Sequence, residues 1–130
     1  MRHKKAQSSM EFFMLVGLAF LTTTIFLAAS ANEVKEFSNN KKFFLVRDLA
    51  LKLQKEVTLA ASVEEGYERS FKIPENLDGS LNYSIITKNT TITVNSSKAA
   101  FAAAIPTVNG NFTKGTNKIQ NIGGKVYING

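Results

Sequence analysis

Twenty consecutive residues, Phe12 to Ala31, carry no charge, and nothing else in this 130-residue chain limits its fold so tightly. As an α-helix the run rises about 30 Å, the thickness of a bilayer core. Phe12, Phe13, Met14, Leu15, Val16, Leu18, Phe20, Leu21, Ile25, Phe26 and Leu27 put apolar surface on every side of that helix. A helix of this kind suits a membrane or the core of a helix bundle. Gly17, Ala19, Ala28, Ala29, Ser30 and Ala31 are small enough to let another helix come close. Arg2, Lys4 and Lys5 precede the run, so the N-terminus is expected on the cytoplasmic side and the remainder of the chain outside. The mean hydropathy of −0.06 conceals this division, because the rest of the chain is polar and rich in Asn and Thr.

Three structures satisfy such a run: a cleaved secretory signal, a permanent single-span anchor, or a buried core helix. The core helix is the weakest, since the run is uninterrupted and apolar all round. For a secretory signal, Ala29-Ser30-Ala31 has the small-x-small form of a cleavage site that would release a chain starting at Asn32. Against it, the run exceeds the roughly 7–15 residues of a signal core. Glu11 also stands at its entrance, where an acid opposes the positive leader. A carboxylate costs about 2.5–3.5 kcal/mol at a membrane centre and less near an end, so a residue of this kind calls for a partner or a function.

The composition removes several chemistries. The chain has no cysteine, and its one histidine, His3, lies in the basic N-terminal tail. Disulfides, thiolate nucleophiles and Cys-ligated metals are excluded, and neither a metal centre nor a His-dependent acid–base site is expected. No nucleophile set stands out, so the chain is read as a non-enzyme without cofactor.

Gln7-Ser8-Ser9-Met10-Glu11-Phe12-Phe13-Met14-Leu15 has the form Q-x-S-x-E-x-x-x-L. With its basic leader and long apolar helix, this segment resembles the class III signal peptide of archaeal type IV pilin-like proteins. The resemblance implies that a prepilin peptidase cuts between Ala6 and Gln7 and leaves the apolar helix on the mature chain. It marks Gln7, Ser9, Glu11 and Leu15 as the signal motif and places Glu11 fifth in the mature protein, where type IV pilins carry a glutamate. The partners implied are other pilin subunits, the peptidase, a pilus assembly platform and the membrane. The expected end state is an extracellular surface filament, with adhesion among its outputs.

The chemistry of the motif can be followed without the family. Cleavage would expose an α-amino group on Gln7, with a reference pKa of about 7.7–8.0 and therefore mostly charged. Glu11 lies four residues on, one helical turn away. In an assembly, the Glu11 carboxylate of one subunit pairing with the Gln7 amine of a neighbour would offset the burial of both charges and fix the register.

Beyond Ala31 the pattern changes. Asn32 to Phe37 is polar but compatible with helix, and Ser38-Asn39-Asn40 is expected to kink or break it. Phe43, Val46, Leu49, Leu53, Val57 and Ala60, with Ala50 and Ala61 beside them, form one apolar face at helical spacing. Lys41, Lys42, Arg47, Asp48, Lys52, Lys55 and Glu56 are assigned to solvated faces, with Lys52/Glu56 as an i,i+4 pair. Gly66 is expected at the C′ position of the helix. If continuous from Ser8 to Val63, the helix would be roughly 84 Å long.

From Tyr67 the alternation has period two: Tyr67, Arg69, Phe71, Ile73; Leu81, Tyr83, Ile85; Ile92, Val94; and Lys125 to Asn129 as a last strand. Asp78-Gly79, Lys88-Asn89, Asn109-Gly110 and Gly123-Gly124 are read as turns, and Lys98 to Ile105 is ambiguous between strand and short helix. Five or six antiparallel strands result, a sheet too small to stand without the cover that the Phe43–Ala61 face supplies. The expected fold is α+β and type IV pilin-like: a long N-terminal helix, hydrophobic then amphipathic, packed against a small antiparallel β head. The expected segments are a removed leader at 1–6, an assembly helix at 7–36, its amphipathic half at 37–65 and an extracellular head at 66–130.

Four N-x-S/T sequons begin at Asn82, Asn89, Asn95 and Asn111, all in the head, as suits an exported, glycosylated surface. With 12 Asn and 21 Ser+Thr, about two would arise by chance. No Asp or Glu follows Asp78, but the five lysines beyond it are dispersed and lack aromatic interleaving, a weak signal for nucleic acid. The chain is thus read as a filament subunit, major or minor. The alternative is a membrane-anchored or secreted monomeric β-domain acting as a binding module. Loss of the leader would take Arg2, Lys4 and Lys5 with it and leave 13 Lys+Arg against 10 Asp+Glu.

Overall fold

In the computed structural model, residues 2–130 are described, with side chains from Lys4 onward. The chain divides at Ser38/Asn39 into a first unit that is helix alone and a second unit, Asn39–Gly130, that holds the core. Helix α1, Arg2–Ser62, runs unbroken through both. Of the kink or break expected at Ser38-Asn39-Asn40, the break does not occur: three poor helix formers do not outweigh the turns on either side. Thr23 and Thr24, mid-run, turn their hydroxyls back onto the carbonyls of Ala19 and Phe20, 2.8 Å in each case, so neither hydroxyl is left bare on the apolar surface.

In the second unit α1 buries one face. Val46, Leu49, Ala50, Leu53, Val57 and Ala60 are buried and form one core with residues from the strands. Phe43, at the edge of that face, stays 40% exposed and meets Phe101 edge-on at 6.2 Å. Ala61 is exposed. Glu56 departs from expectation. It is buried, not solvated, and its partner is Arg69 of the first strand at 3.3 Å, because the helix face that carries it turns toward the sheet. The helix ends at Ser62, so Gly66 is not its C′ residue. Gly66 instead lies in the turn closed by Tyr67 N–H to Glu64 O and donates its own N–H to Asn121 O at 3.0 Å.

Seven strands follow: β1 Glu68–Ile73, β2 Tyr83–Lys88, β3 Thr91–Ser96, β4 Ala100–Ala104, β5 Val108–Gly110, β6 Gly115–Ile122 and β7 Lys125–Ile128. They form two sheets, ordered β1-β6-β7-β5 and β2-β3-β4. The head is therefore an α+β fold with one more strand than the upper expectation, and it is not a single antiparallel sheet. The β5–β7 pairing is parallel, Val108 against Val126 and Gly110 against Ile128. The Ala-rich segment is strand, with Phe101 opposite Val94 and Ala103 opposite Ile92.

Asn109-Gly110 is not a turn. Gly110, at φ +106°, lies so close to β7 that a Cβ would strike the Ile128 carbonyl. Gly123-Gly124 does turn the β6–β7 hairpin, with φ of +60° and +76°. Ile73, Ile92, Ile119, Val126 and Ile128 fill the space between the sheets and Leu53 of the helix.

Two asparagines of β6 fix the joints of this unit. Asn117 is fully buried: its Oδ1 accepts from Thr113 N–H at 2.9 Å and Asn129 Nδ2 at 2.8 Å, and its Nδ2 donates to the carbonyls of Thr113 and Gly115. Asn121 donates through Nδ2 to Ala60 O at 2.9 Å and Val63 O at 3.1 Å, so the open carbonyls at the end of α1 are met by a strand.

Candidate functional site

The Q-x-S-x-E-x-x-x-L motif lies wholly within α1. Of the basic leader, Met1 and the side chains of Arg2 and His3 lie outside the described residues, while Lys4, Lys5 and Ala6 are helical and exposed. Gln7, Glu11 and Leu15 follow one another at intervals of four and share a helix face, and Ser9 sits on the other side. All four are exposed, and Glu11 takes part in none of the ion pairs among the described residues. A helix backbone thus holds the carboxylate one turn beyond the Ala6–Gln7 bond, on the same face as the nitrogen that cleavage there would free.

The run after the motif is the most exposed apolar surface of the chain. Twelve large apolar side chains from Met10 to Leu27 are each between 49 and 76% exposed. The helix is long and apolar enough to cross a membrane, and it lies near the N-terminus. Burying twelve such side chains is worth on the order of 20 kcal/mol. A contiguous exposed apolar patch of this extent is characteristic of a surface that meets lipid or other protein.

The head carries the sequons, and all four asparagines are exposed. Asn82 and Asn95 are brought together: Asn82-Tyr83-Ser84 and Asn95-Ser96-Ser97 line one open cleft of about 400 Å³, with Ser84 paired across the strands to Asn95. Asn89 stands apart in the β2–β3 turn, and Asn111 lies in the β5–β6 connection, where Phe112 N–H donates to Thr87 Oγ1 at 3.2 Å.

The lysines are divided. Lys114 donates to Asn82 Oδ1 at 2.8 Å and sits 4.6 Å from the centre of the Tyr83 ring. Lys118 pairs with Glu68 at 2.9 Å and, with Gln120, holds that carboxyl below its ordinary value. Burial pushes the Tyr83 hydroxyl up, and it donates to Pro74 O. Lys88 ends β2, Lys98 lies in the β3–β4 connection and Lys125 starts β7. Among the described residues, no group of three or more His, Asp or Glu side chains is gathered to hold a metal ion.

Sequence reasoning missed Glu56–Arg69, Asn117 and Asn121. The two asparagines had a visible signal, since Asn117, Ile119 and Asn121 share one parity along a strand whose other side is polar. No protein-family model, curated protein or solved structure matches this chain.

Proposed function

We propose that this chain is a structural subunit of an archaeal type IV pilus-like surface filament. The precursor inserts with its N-terminus cytoplasmic, a prepilin peptidase cuts before Gln7, and an assembly platform moves the mature chain into the filament. The apolar segment of α1 leaves lipid for a bundle of identical or related helices, and the β head faces outward. No substrate is turned over, and the work of the chain is assembly. Adhesion is one output of such a filament.

The observation that carries this reading is the juxtaposition within one helix of the Gln7–Leu15 motif and an exposed apolar surface, Phe12 to Leu27. Lipid alone would satisfy that surface, but lipid gives no use to Glu11. A neighbour's Gln7 amine does, because it neutralises the carboxylate at the depth where an unpaired charge is costly. A second reading, a membrane-anchored or secreted β-domain, draws support from the self-contained core of residues 39–130. The N-terminal sequence of the mature protein separates them: Gln7 supports the filament subunit, Asn32 a secreted domain and Met1 a simple anchor.

A further inference from the structure

We propose that Asn89 is the sequon at which the folded head carries an N-linked glycan, an inference that rests on the exported placement of the head. Sequence treats the four sequons alike, but the fold does not. A transferase must hold the whole tripeptide, with the asparagine amide and the hydroxyl residue two positions on presented together. A tripeptide whose central side chain is in the core, or whose backbone is bonded into a sheet, resists that capture.

Three sequons are committed in this way. In Asn111-Phe112-Thr113 the central Phe112 is in the core and Asn117 holds both backbone groups of Thr113. In Asn82-Tyr83-Ser84 the central Tyr83 is buried and bonded to Pro74 O, and Lys114 holds the Asn82 amide. In Asn95-Ser96-Ser97 the asparagine is in β3, the middle strand of its sheet, and the Ser96 hydroxyl is spent on Ala99. Those last two also open on one cleft, so a glycan on either crowds the other.

Asn89-Thr90-Thr91 is the least committed of the four, since only Thr91, the first residue of β3, is paired into a sheet, with Lys88 and Ala104. Asn89 and Thr90 are the two turn residues between Lys88 and Thr91, both exposed, and none of the three side chains is buried. The Asn89 side chain makes no hydrogen bond among the described residues; the turn is tied to the rest of the head through two backbone carbonyls, Asn89 O accepting from Val108 N–H and Thr90 O from Ile105 N–H, each at 3.0 Å. Hairpin tips are where chain is most readily lifted into another protein's site. In the transfer, Asn89 Nδ2 loses one proton and bonds the anomeric carbon of a lipid-linked oligosaccharide. The bond from that carbon to the carrier's phosphate breaks, and the lipid phosphate leaves with the proton.

Glycopeptide mass spectrometry of the protein isolated from its own cells reads occupancy at all four sites. Occupancy at Asn89 at least threefold above each of the others is expected. Asn89→Gln and Thr91→Val should each remove most of the glycan without moving the melting point. Equal occupancy at four sites, or a bare Asn89 beside a modified neighbour, overturns the proposal. External protease on intact cells distinguishes the failures: an accessible head with no glycan sinks this proposal alone, and a protected, bare head sinks it together with the exported placement.

Discussion

Replacing Asn117 with leucine tests whether the head depends on a polar joint inside its core. The side chain is fully buried and makes four hydrogen bonds, to Thr113 N–H, Thr113 O, Gly115 O and Asn129 Nδ2. Leucine keeps the branched outline, is somewhat larger, and satisfies none of them, and the stranded groups stay away from water. At a net value near 1 kcal/mol for each bond, Asn117→Leu should cost about 4 kcal/mol. For a head of this size the melting point should fall by about 15–30 °C. The chain has no tryptophan, and its tyrosines, Tyr67, Tyr83 and Tyr127, all lie in the head. Tyrosine fluorescence of the full chain in detergent therefore reports head melting without interference from the apolar helix. Asn109→Ser, at an exposed position, is the control and should stay within about 0.5 kcal/mol of the parent. An Asn117→Leu head melting within 3 °C, roughly, of the parent would refute the reasoning, since no assignment of bond strengths reconciles that result with four lost partners.

Other outcomes follow from the same geometry. Leu53→Ala, at the centre of the helix face buried against the sheets, should destabilise the head by about 2–5 kcal/mol in the same melt. Gly110→Ala should destabilise it as well, because a methyl group there meets the Ile128 carbonyl; an unchanged melting point would contradict the close β5–β7 approach. Glu68 has a folded pKa below its ordinary 4.5, so its contribution is present above that pH and is lost as the pH falls through the lower folded value. Glu68→Gln should therefore flatten the melting point against pH only below about 4.5, read by the same fluorescence across a pH series. Glu11→Gln should leave the head's melting point unchanged and abolish normal filaments, scored by electron microscopy of sheared cells; normal filaments would refute the pairing of Glu11 with a Gln7 amine.

What was legible in the sequence follows from the range of the forces involved. The apolar run and the Val46–Ala60 face are patterns of near neighbours, and the helix follows them. β1, β2, β3 and β7 show in the alternation of Phe71/Ile73, Tyr83/Ile85, Ile92/Val94 and Val126/Ile128, because one side of each is covered. The division into two sheets is not local. It depends on β1 pairing with β6, some fifty residues away in sequence, and no period along the chain encodes that choice. Asn109-Gly110 misled because the same freedom that makes a turn also permits close contact with another strand. Glu56 misled because a helix charge is usually solvated, and only Arg69, thirteen residues on, makes burial acceptable. The Gln7–Leu15 motif is contiguous and wholly visible, whereas the shared cleft of Asn82 and Asn95 exists only once β2 and β3 pair.

The central claim is that the exposed apolar helix finds its partners in other subunits. Filaments sheared from the cell surface and imaged by cryo-electron microscopy, with their subunit identified from the map and by mass spectrometry, test it most directly. The account predicts a core of packed helices formed by residues from about 12 to 36, a chain beginning at Gln7, and heads on the outside. Recovery of the protein solely as a membrane-bound monomer, or as a soluble chain beginning at Asn32, would contradict it.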